Sequence, residues 1–352
     1  MRGVQTRQRR RGGGPTIADV ARRSAVSPMT VSRVINGGTA VSEDTRRRVN
    51  EAVQALGYAP DPAARTLAGA RTVRIGLLYS NPSAGWLSEV LLGAMDECGR
   101  QHLPLLIERC EGEGDELPAL DRLLGSGADA VLLPPPLCEH PPLIRRLEAE
   151  GVPAAALAGD AGATLSSVRI DDLAAARAMT EHLIALGHRR IGFVRGHPNQ
   201  SASALRFEGY AQALGDAGLA VAPDLVADGR FDFRSGLDAA DRLLRLQPPP
   251  TAIFASNDDM AAAAVAAAHR AGLDVPRDLA VVGFDDTAMA VNVWPTLTTV
   301  RQPVQDMARR AVALLAERLR DSRAGRQAAP VHERAPYGLV IRESAASPKA
   351  GR

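Results

Sequence analysis

From Val73 onward, short apolar segments of strand length alternate with longer segments in which apolar residues recur at helical spacing. Such alternation is typical of βαβ units, which build parallel sheets with helices on their faces. The stretch is longer than one such sheet requires, so we predict an α/β body of two doubly wound parallel-sheet lobes with a cleft between them. The predicted strands are 73–80, 103–108, 130–135, 152–158, 167–170, 190–196, 252–256, 279–286 and 297–302. Helices are predicted at 87–100, 117–124, 143–150, 172–186, 204–217, 235–244 and 258–269.

Candidate ligand-binding residues follow from the ends of these strands, because ligands bind at the carboxyl ends of parallel strands. The polar candidates at strand or loop ends are Ser80, Asn81, Arg206, Asn257 and Asp285. Amides, a carboxylate and a guanidinium suit a polyhydroxylated ligand such as a sugar. Phe231 or Trp86 offers an apolar face to a sugar ring.

Three of these polar candidates also have a purely structural interpretation. Asp285 can cap the following turn. Asn257 and its neighbour Asp258 can be helix N-caps without any role in ligand binding. Arg206 can form a structural ion pair with Glu208 or Asp232. The sequence leaves these alternatives open.

The charge of the chain is distributed unevenly. Residues 1–71 contain thirteen Arg, no Lys and five acids, a net charge of +8, and the remaining residues carry −6 of the overall +2. A basic head on an acidic body indicates that the head meets a polyanion. A solubilising basic tail is the alternative, and residues 7–11, rich in Arg, fit either a flexible tail or additional phosphate contacts.

Three short helices are predicted in this head. Thr16, Ser27 and Ser42 precede them as N-caps, and the helices cover 17–24, 28–36 and 43–56. Pro28 stands at the first position of the second helix, where its missing N–H costs nothing. Two short helices joined by a tight turn and covered by a third make a helix-turn-helix unit.

The second helix of this unit presents a polar face. At 100° per residue that face holds Pro28, Met29, Ser32, Arg33 and Asn36, whereas Val31 and Val34 point into the core. An exposed face of this kind fits the major groove of DNA, where Arg33 can pair with a guanine edge. The hydroxyls of Thr16, Ser27 and Thr30 suit phosphate contacts. A small helical cap with a solvated face is the alternative.

These motifs closely resemble the lactose-repressor (LacI/GalR) family of bacterial transcription regulators. The resemblance is carried by TIADVARRSAVSPMTVSRVING, VSEDTRRRV and LGYAPDPAARTLAG in the head, and by EHLIALGHRRIGFVRG, FASNDDMA and VVGFDDT in the body. This chain differs from the family at Pro28 and Met29, because family members usually have base-reading polar side chains at these two positions. Met29 offers only apolar contact, for example to a thymine methyl group.

The resemblance implies a function and an organisation. It implies a periplasmic-binding-protein-like body that crosses between lobes near 169, 298 and 334, and effector contacts by Arg206, Phe231, Asn257 and Asp285. It also implies a hinge helix that folds on operator DNA and inserts Leu67 into the minor groove; packing of Leu67 on the body is the alternative. The expected segments are a basic flexible tail (1–15), a helix-turn-helix domain (16–60), a hinge helix (61–72), the effector-binding body (73–345) and a tail (346–352).

We therefore predict a homodimeric, sugar-responsive regulator, most simply a repressor, that binds a pseudo-palindromic operator in double-stranded DNA. No apolar run reaches membrane-spanning length and no signal peptide is recognisable, so we expect a cytoplasmic, nucleoid-associated protein without a membrane partner. Three cysteines without a C-x-x-C pair suggest a reducing compartment. No catalytic motif, cofactor or metal site is predicted. A solute-binding protein and a sugar-active enzyme with a DNA-binding head are the alternatives.

Overall fold

The computed structural model describes residues 15–35, 41–58, 73–160, 162–326 and 328–349. The chain falls into two compact units, one up to Thr72 and one from Val73 onward, and each is described by itself. The predicted hinge helix with Leu67 lies outside the described residues, as do Asn36 and the segment 7–11.

The first unit is a bundle of three helices around a small core. The helices are α1 (Ile17–Ser24), α2 (Pro28–Ile35) and α3 (Glu43–Leu56). The buried side chains of this core are Val20, Ala21, Val31, Val34, Val49 and Ala52. Ala25 and Gly57 follow α1 and α3 with φ of 54° and 59°, and this left-handed geometry turns the chain out of each helix. The three predicted head helices are thus present.

The second unit contains two six-stranded sheets. Its strands are β1 (Ile75–Tyr79), β2 (Leu105–Arg109), β3 (Ala130–Leu133), β4 (Ala154–Leu157), β5 (Ser166–Arg169), β6 (Ile191–Arg195), β7 (Val226–Asp228), β8 (Ala252–Ala255), β9 (Ala280–Asp285), β10 (Thr298–Arg301), β11 (His332–Arg334) and β12 (Gly338–Val340). The first sheet has the order β11-β5-β4-β3-β1-β2 and the second β12-β10-β9-β8-β6-β7. All described pairings are parallel except that of β10 with β12.

Helices cover both sheets. They are α4 (Ala84–Arg100), α5 (Glu116–Gly125), α6 (Pro141–Ala149), α7 (Asp172–Ala185), α8 (Ser201–Asp216), α9 (Phe233–Leu244), α10 (Asp258–Arg270), α11 (Met289–Asn292) and α12 (Val304–Arg323). Strands β3, β4 and β8 are buried along their whole length, which is why they read as continuous apolar runs rather than as alternating patterns. Among the helices that the structure describes, none is long and apolar enough to cross a membrane.

Three connections join the two lobes. The chain leaves the first sheet after Arg169, returns after Arg301 into α12, which packs beside α4, and crosses again between Arg334 and Gly338. The second crossing is a few residues later than the predicted 298, because Thr298 begins β10 and Gln302 and Pro303 make the connection. The carboxyl ends of the parallel strands meet at this junction.

The structure also holds elements that the strand and helix predictions do not include. These are β7, the two short strands β11 and β12, the one-turn helix α11, the long helix α12 and two short 3-10 helices, Leu137–Glu139 and Pro223–Leu225. The nine predicted strands and seven predicted helices of the body are present, most with ends shifted by one to three residues.

Candidate DNA-binding face and ligand cleft

Helix α2 separates its buried residues from its exposed ones cleanly. Val31 and Val34 are packed in the core at 0% and 6% exposure, whereas Met29 is 65% exposed. Pro28 and Arg33 are also exposed, and Ser32 is partly so. The polar face predicted from helical spacing is therefore present over Pro28–Arg33.

The hydroxyls predicted to meet phosphates also cap the first two helices. Thr16 Oγ donates to Asp19 Oδ2 at 2.7 Å, and the Asp19 N–H donates back to Thr16 Oγ at 3.4 Å. The Thr16 N–H also donates to Asp19 Oδ2 at 3.0 Å. This bond, together with that of the Thr16 hydroxyl, holds the pKa of Asp19 below its usual value. Ser27 Oγ accepts the Thr30 N–H at 3.1 Å and lies 2.9 Å from the Thr30 hydroxyl. All three hydroxyls therefore lie at helix N-termini, where backbone N–H groups favour an anion.

Met29 and Arg33 interact along the exposed face of α2. The Arg33 guanidinium donates to the Met29 sulfur over 3.7 Å, one helical turn away. A soft sulfur acceptor makes a weak contact, but it limits the positions that the Arg33 side chain takes up.

A cavity of about 30 Å³ lies between the two lobes of the second unit, at the strand ends. Its lining residues are Asn81, Ser83, Trp86, Pro135, Ala158, Gln200, Ala202, Arg206, Phe231, Asn257, Asp285 and Gln302. Five of the six predicted effector residues are among them, together with Trp86. The volume holds one or two water molecules, so the lobes are closed on each other in this structure.

Ser80 is the predicted residue that does not line this cavity. Its hydroxyl lies beside the thiol of Cys110, whose pKa is raised mainly by burial. The reason is the alternation of side chains along an extended chain, which sends neighbouring residues to opposite sides. Asn81 faces the cavity, so Ser80 faces away from it.

Arg206 is held in place by several contacts. Its Nε donates to Asp172 Oδ1 at 2.8 Å and its Nη1 donates to the Ser256 carbonyl at 2.6 Å. Asp285 Oδ1 lies 3.6 Å from the same Nη1. The guanidinium also stacks 3.6 Å above the ring of Phe284. The ion pairs with Glu208 or Asp232 considered from the sequence are not formed, since Glu208 accepts from Gln212 and Asp232 caps α9.

Asp285 is 6% exposed and faces the cavity. Burial raises its pKa to about 7, although Arg206 and a hydrogen bond from Gln302 pull in the opposite direction. Asp286 points elsewhere and accepts from Arg301 and Arg342 at 2.6 Å each. Both residues have positive φ, 111° and 58°, so the end of β9 is strained in a way that sends the two carboxylates apart.

Asn257 both caps a helix and lines the cavity. Its Oδ1 accepts the Met260 N–H at 3.0 Å as the N-cap of α10, and its Nδ2 donates to the Phe231 carbonyl at 3.0 Å. Phe231 has φ of 63°, and its ring covers Gly196 so closely that a Cβ there would lie 1.9 Å from it. Glycine at 196 is therefore required for this placement of the ring.

The sequence analysis missed three polar lining residues: Ser83, Gln200 and Gln302. Of these, Gln302 bonds through its side chain to the predicted site residue Asp285. It is 5% exposed, and its Nε2 donates to Asp285 Oδ1 at 2.6 Å. Among the described residues its Oε1 has no hydrogen-bond partner although it is buried. Gln302 is the last residue of a predicted strand, so the strand-end rule applied to Asn81 and Asp285 also applies to it.

Two polar bridges connect the lobes beside the cavity. Ser83 of the first lobe donates its hydroxyl to Asp259 Oδ2 of the second at 2.5 Å. Glu139 of the first lobe accepts the Ser201 N–H at 2.7 Å and the Ser201 hydroxyl. Glu139 thereby caps α8, whose own preceding residue, Gln200, makes no side-chain cap. Burial raises the pKa of Asp259, and the hydrogen bond from Ser83 opposes that rise.

The described residues contain no cluster of three or more His, Cys, Asp or Glu side chains suited to hold a metal ion.

Comparison with known proteins gives matches over both units. Residues 16–61 match the model of bacterial regulatory proteins of the lacI family, and residues 180–345 match the periplasmic binding protein-like domain. The HTH-type transcriptional regulator CelR of Thermobifida fusca is 36% identical over 341 residues, which is 94% of this chain and 98% of that protein.

Solved structures match over nearly the whole chain as well. A complex of the transcriptional regulator CelR with cellobiose has a TM-score of 0.71 and 32% identity, covering 94% of this chain and 99% of that chain. The lac repressor dimer bound to operator and the anti-inducer ONPF has a TM-score of 0.73 and 28% identity, covering 95% of this chain and 100% of that chain.

A helix-turn-helix head and a two-lobed body of periplasmic-binding-protein type define a class of transcription regulators. The chain belongs to the lacI family of bacterial regulatory proteins. It is a transcription regulator and not an enzyme, and the resemblance drawn from the sequence motifs is confirmed.

Proposed function

We propose that this regulator binds a pseudo-palindromic operator in double-stranded DNA as a homodimer, and that a small carbohydrate-type effector in the cleft controls that binding. The favoured direction is a repressor that an inducer releases. The exposed polar face of α2, supported from behind by the buried Val31 and Val34, is the observation that carries the proposal.

On the DNA side, the roles of the individual residues follow from their positions. Met29 and Arg33 are exposed on one face of α2 and reach base edges in the major groove. Pro28 and Ser32 border them, and the hydroxyls of Thr16, Ser27 and Thr30 meet phosphates near helix N-termini. Asn36 and the wedge Leu67 belong to the same proposal, although they lie outside the described residues.

On the effector side, the support comes from the lining of the cavity. Asn81, Arg206, Phe231, Asn257 and Asp285 combine hydrogen-bonding groups with one aromatic ring, as sugar sites require. The CelR structure, similar over 94% of this chain, is a complex with cellobiose. Because the cavity holds about 30 Å³, the lobes must separate before a sugar enters.

Apolar side chains on the surface of the body support a dimer. Leu92 and Met95 on α4 are 52% and 57% exposed, and Val291 and Trp294 are 54% and 73% exposed. Because residues three apart on a helix lie on one face, Leu92 and Met95 together form exposed apolar surface of the kind that protein interfaces cover. A cytoplasmic location, in association with the nucleoid, and the segment boundaries given from the sequence complete the proposal.

The test begins with selection of a preferred site from random duplex DNA, followed by fluorescence anisotropy on that site and on a scrambled one. We expect a pseudo-palindromic site bound at least a hundredfold more tightly than the scrambled one, and a loss of about 1–3 kcal/mol for Leu67→Ala on the selected site only. Equal binding of all sequences, with a steep salt dependence alone, would contradict the proposal. Sugars are then added to the preformed complex, and an inducer lowers the anisotropy.

A further inference from the structure

We propose that the cleft accepts effectors that carry no anionic group, and that they donate hydrogen bonds from hydroxyl or ammonium groups to Gln302 and Asp285. This inference rests on the proposed function, since it specifies the class of carbohydrate that the same cleft binds. Three independent features of the cleft support it.

The first feature is the balance of charge. Arg206 and Asp285 are the charged residues that line the cavity, and Arg206 already pairs with Asp172 at 2.8 Å and lies 3.6 Å from Asp285. Asp259 accepts a hydrogen bond from the lining residue Ser83. The guanidinium is therefore neutralised by Asp172 before a ligand arrives. Above about pH 7, where Asp285 is ionised, a phosphate or carboxylate would also face the Asp285 carboxylate in a poorly screened site.

The second feature is an unsatisfied acceptor. Because Gln302 Nε2 donates to Asp285, its Oε1 is left as an acceptor, and this oxygen is buried without a partner among the described residues. A buried acceptor without a donor is unfavourable. A hydroxyl or ammonium group supplies that donor, whereas a fully ionised phosphate or carboxylate has none to give. The group of the ligand that lies against Gln302 and Asp285 is therefore a hydroxyl or ammonium and not the anionic group.

The third feature is the state of the helix N-termini around the cleft. Phosphate sites commonly use free N–H groups at such positions. Here Ser83 accepts the Trp86 N–H of α4 at 3.3 Å, and Asn257 accepts the Met260 N–H of α10 at 3.0 Å. At α8 the cap is a carboxylate, Glu139. Each of these three helix N-termini therefore already has a side-chain acceptor on one of its backbone N–H groups, and at α8 that acceptor is a carboxylate.

The experiment uses Trp86 as a reporter, because it lines the cavity and is one of two tryptophans in the chain. The full-length Trp294→Phe protein is titrated at pH 8, where Asp285 is ionised, with matched sets of each sugar: glucose, cellobiose and other neutral sugars, their amino derivatives, phosphates and uronic acids. We expect that a sugar which changes Trp86 emission is neutral or amino-substituted, and that its phosphate and uronate bind at least tenfold more weakly.

Tighter binding of a phosphate or uronate than of its parent sugar would overturn the inference while leaving a carbohydrate effector in place. No response to any sugar in any set would overturn the carbohydrate effector itself, and the inference with it. Operator binding measured on the same preparation shows that the protein is folded in either case.

Two variants test the assigned groups. Gln302→Leu removes the acceptor and is expected to weaken binding of the parent sugar about fivefold. Gln212→Leu, on the exposed side of α8, is the matched control. Asp285→Asn is expected to reduce the ratio between the affinities for the parent sugar and for its phosphate at least fivefold. An unchanged affinity ratio in Asp285→Asn would contradict the charge argument. Unchanged sugar affinity in Gln302→Leu would contradict the acceptor argument. If Asp285→Asn does not fold, Gln302→Leu alone decides.

Discussion

Asp285 is a nearly buried carboxyl group whose pKa is raised to about 7 because burial disfavours its charge. The unfolded chain loses this proton near pH 3.8, whereas the folded protein keeps it up to about pH 7. Between these values the folded state binds more protons, so its stability falls as the pH rises. The more deeply buried Asp258 has a raised pKa and acts in the same direction.

We therefore expect Asp285→Asn to lose less stability than the wild type between pH 5 and pH 8. Urea denaturation followed by circular dichroism at the two pH values measures the difference in midpoint. Asp238→Asn on the exposed face of α9 is the control, and it should retain the wild-type pH dependence. Identical pH dependence in wild type and Asp285→Asn would show that the buried carboxyl group is not the source.

At the DNA-binding face, Met29 and Arg33 form one unit because the guanidinium rests against the sulfur at 3.7 Å. We expect Arg33→Ala to cost about 1–3 kcal/mol on the selected operator and to relax base preference at one position. Met29→Ala should cost about 1 kcal/mol, since it removes only an apolar contact and a weak support for Arg33. Anisotropy on single-base operator variants measures both effects.

Arg47→Ala provides the matched control, because Arg47 is exposed on α3 and paired with Asp44 rather than lying on α2. Arg47→Ala should leave the base preference unchanged at every operator position. If Arg33→Ala weakens binding to the operator and to scrambled DNA by the same factor, Arg33 contacts a phosphate and not a base.

Residue positions were predictable from the sequence where one rule governed them. The end-of-strand rule found Asn81, Asn257 and Asp285, because parallel strands bring their carboxyl ends to one edge. It also selected Ser80, which the alternation of side chains turns away from the cavity. Glu139 could not be found in this way, since it lies in the connection between β3 and α6 and not directly at a strand end. It reaches the cleft by capping a helix of the other lobe.

At the level of elements, α8 depends on the opposite lobe for its N-terminal cap. Glu139 is the carboxylate that accepts the Ser201 N–H, and a negative charge there is favoured by the helix dipole. We expect Glu139→Ala to lower the free energy of unfolding by about 1–2 kcal/mol, a typical loss for a helix cap. Chemical denaturation measures it.

Glu150→Ala is the matched control for this change, because Glu150 forms only an exposed pair with Arg146 four residues before it. Exposed pairs of this kind contribute little, about 0.5 kcal/mol or less. Equal losses in the two variants would mean that the inter-lobe cap has no special role.

The accuracy of the element predictions follows from burial. Strands such as β3 and β8 are buried on both faces and stand out as apolar runs. Strands β11 and β12 lie at sheet edges, are partly exposed and span three residues each, so HERAPYGLV carries no such run. Helix α12 does carry a signal, since Val304, Met307, Ala308 and Ala311 recur at helical spacing on its buried face.

At the scale of the whole body, the closed cleft is held by polar bridges to the starts of two different helices as well as by the chain crossings. Ser83 reaches Asp259 at the start of α10, and Glu139 reaches Ser201 at the start of α8. Each bridge joins side chains of one lobe to the other, so both must break when the lobes separate. Opening also exposes Trp86, which is 5% exposed in the closed body.

We therefore expect that combining Ser83→Ala with Glu139→Gln shifts the body toward an open state, whereas either change alone has a smaller effect. In the Trp294→Phe background the double variant should show red-shifted Trp86 emission and faster sugar association than the parent protein, because a ligand no longer waits for the bridges to break. Steady-state emission spectra and stopped-flow fluorescence measure the two quantities.

Ser88→Ala is the control. Ser88 lies on α4, the helix that Ser83 caps, and its hydroxyl donates to the Ala84 carbonyl of the same helix, so this variant should behave as the parent. If emission and association rate in the double variant equal those of the parent, the closed state is held by apolar packing and the chain crossings instead of the two bridges.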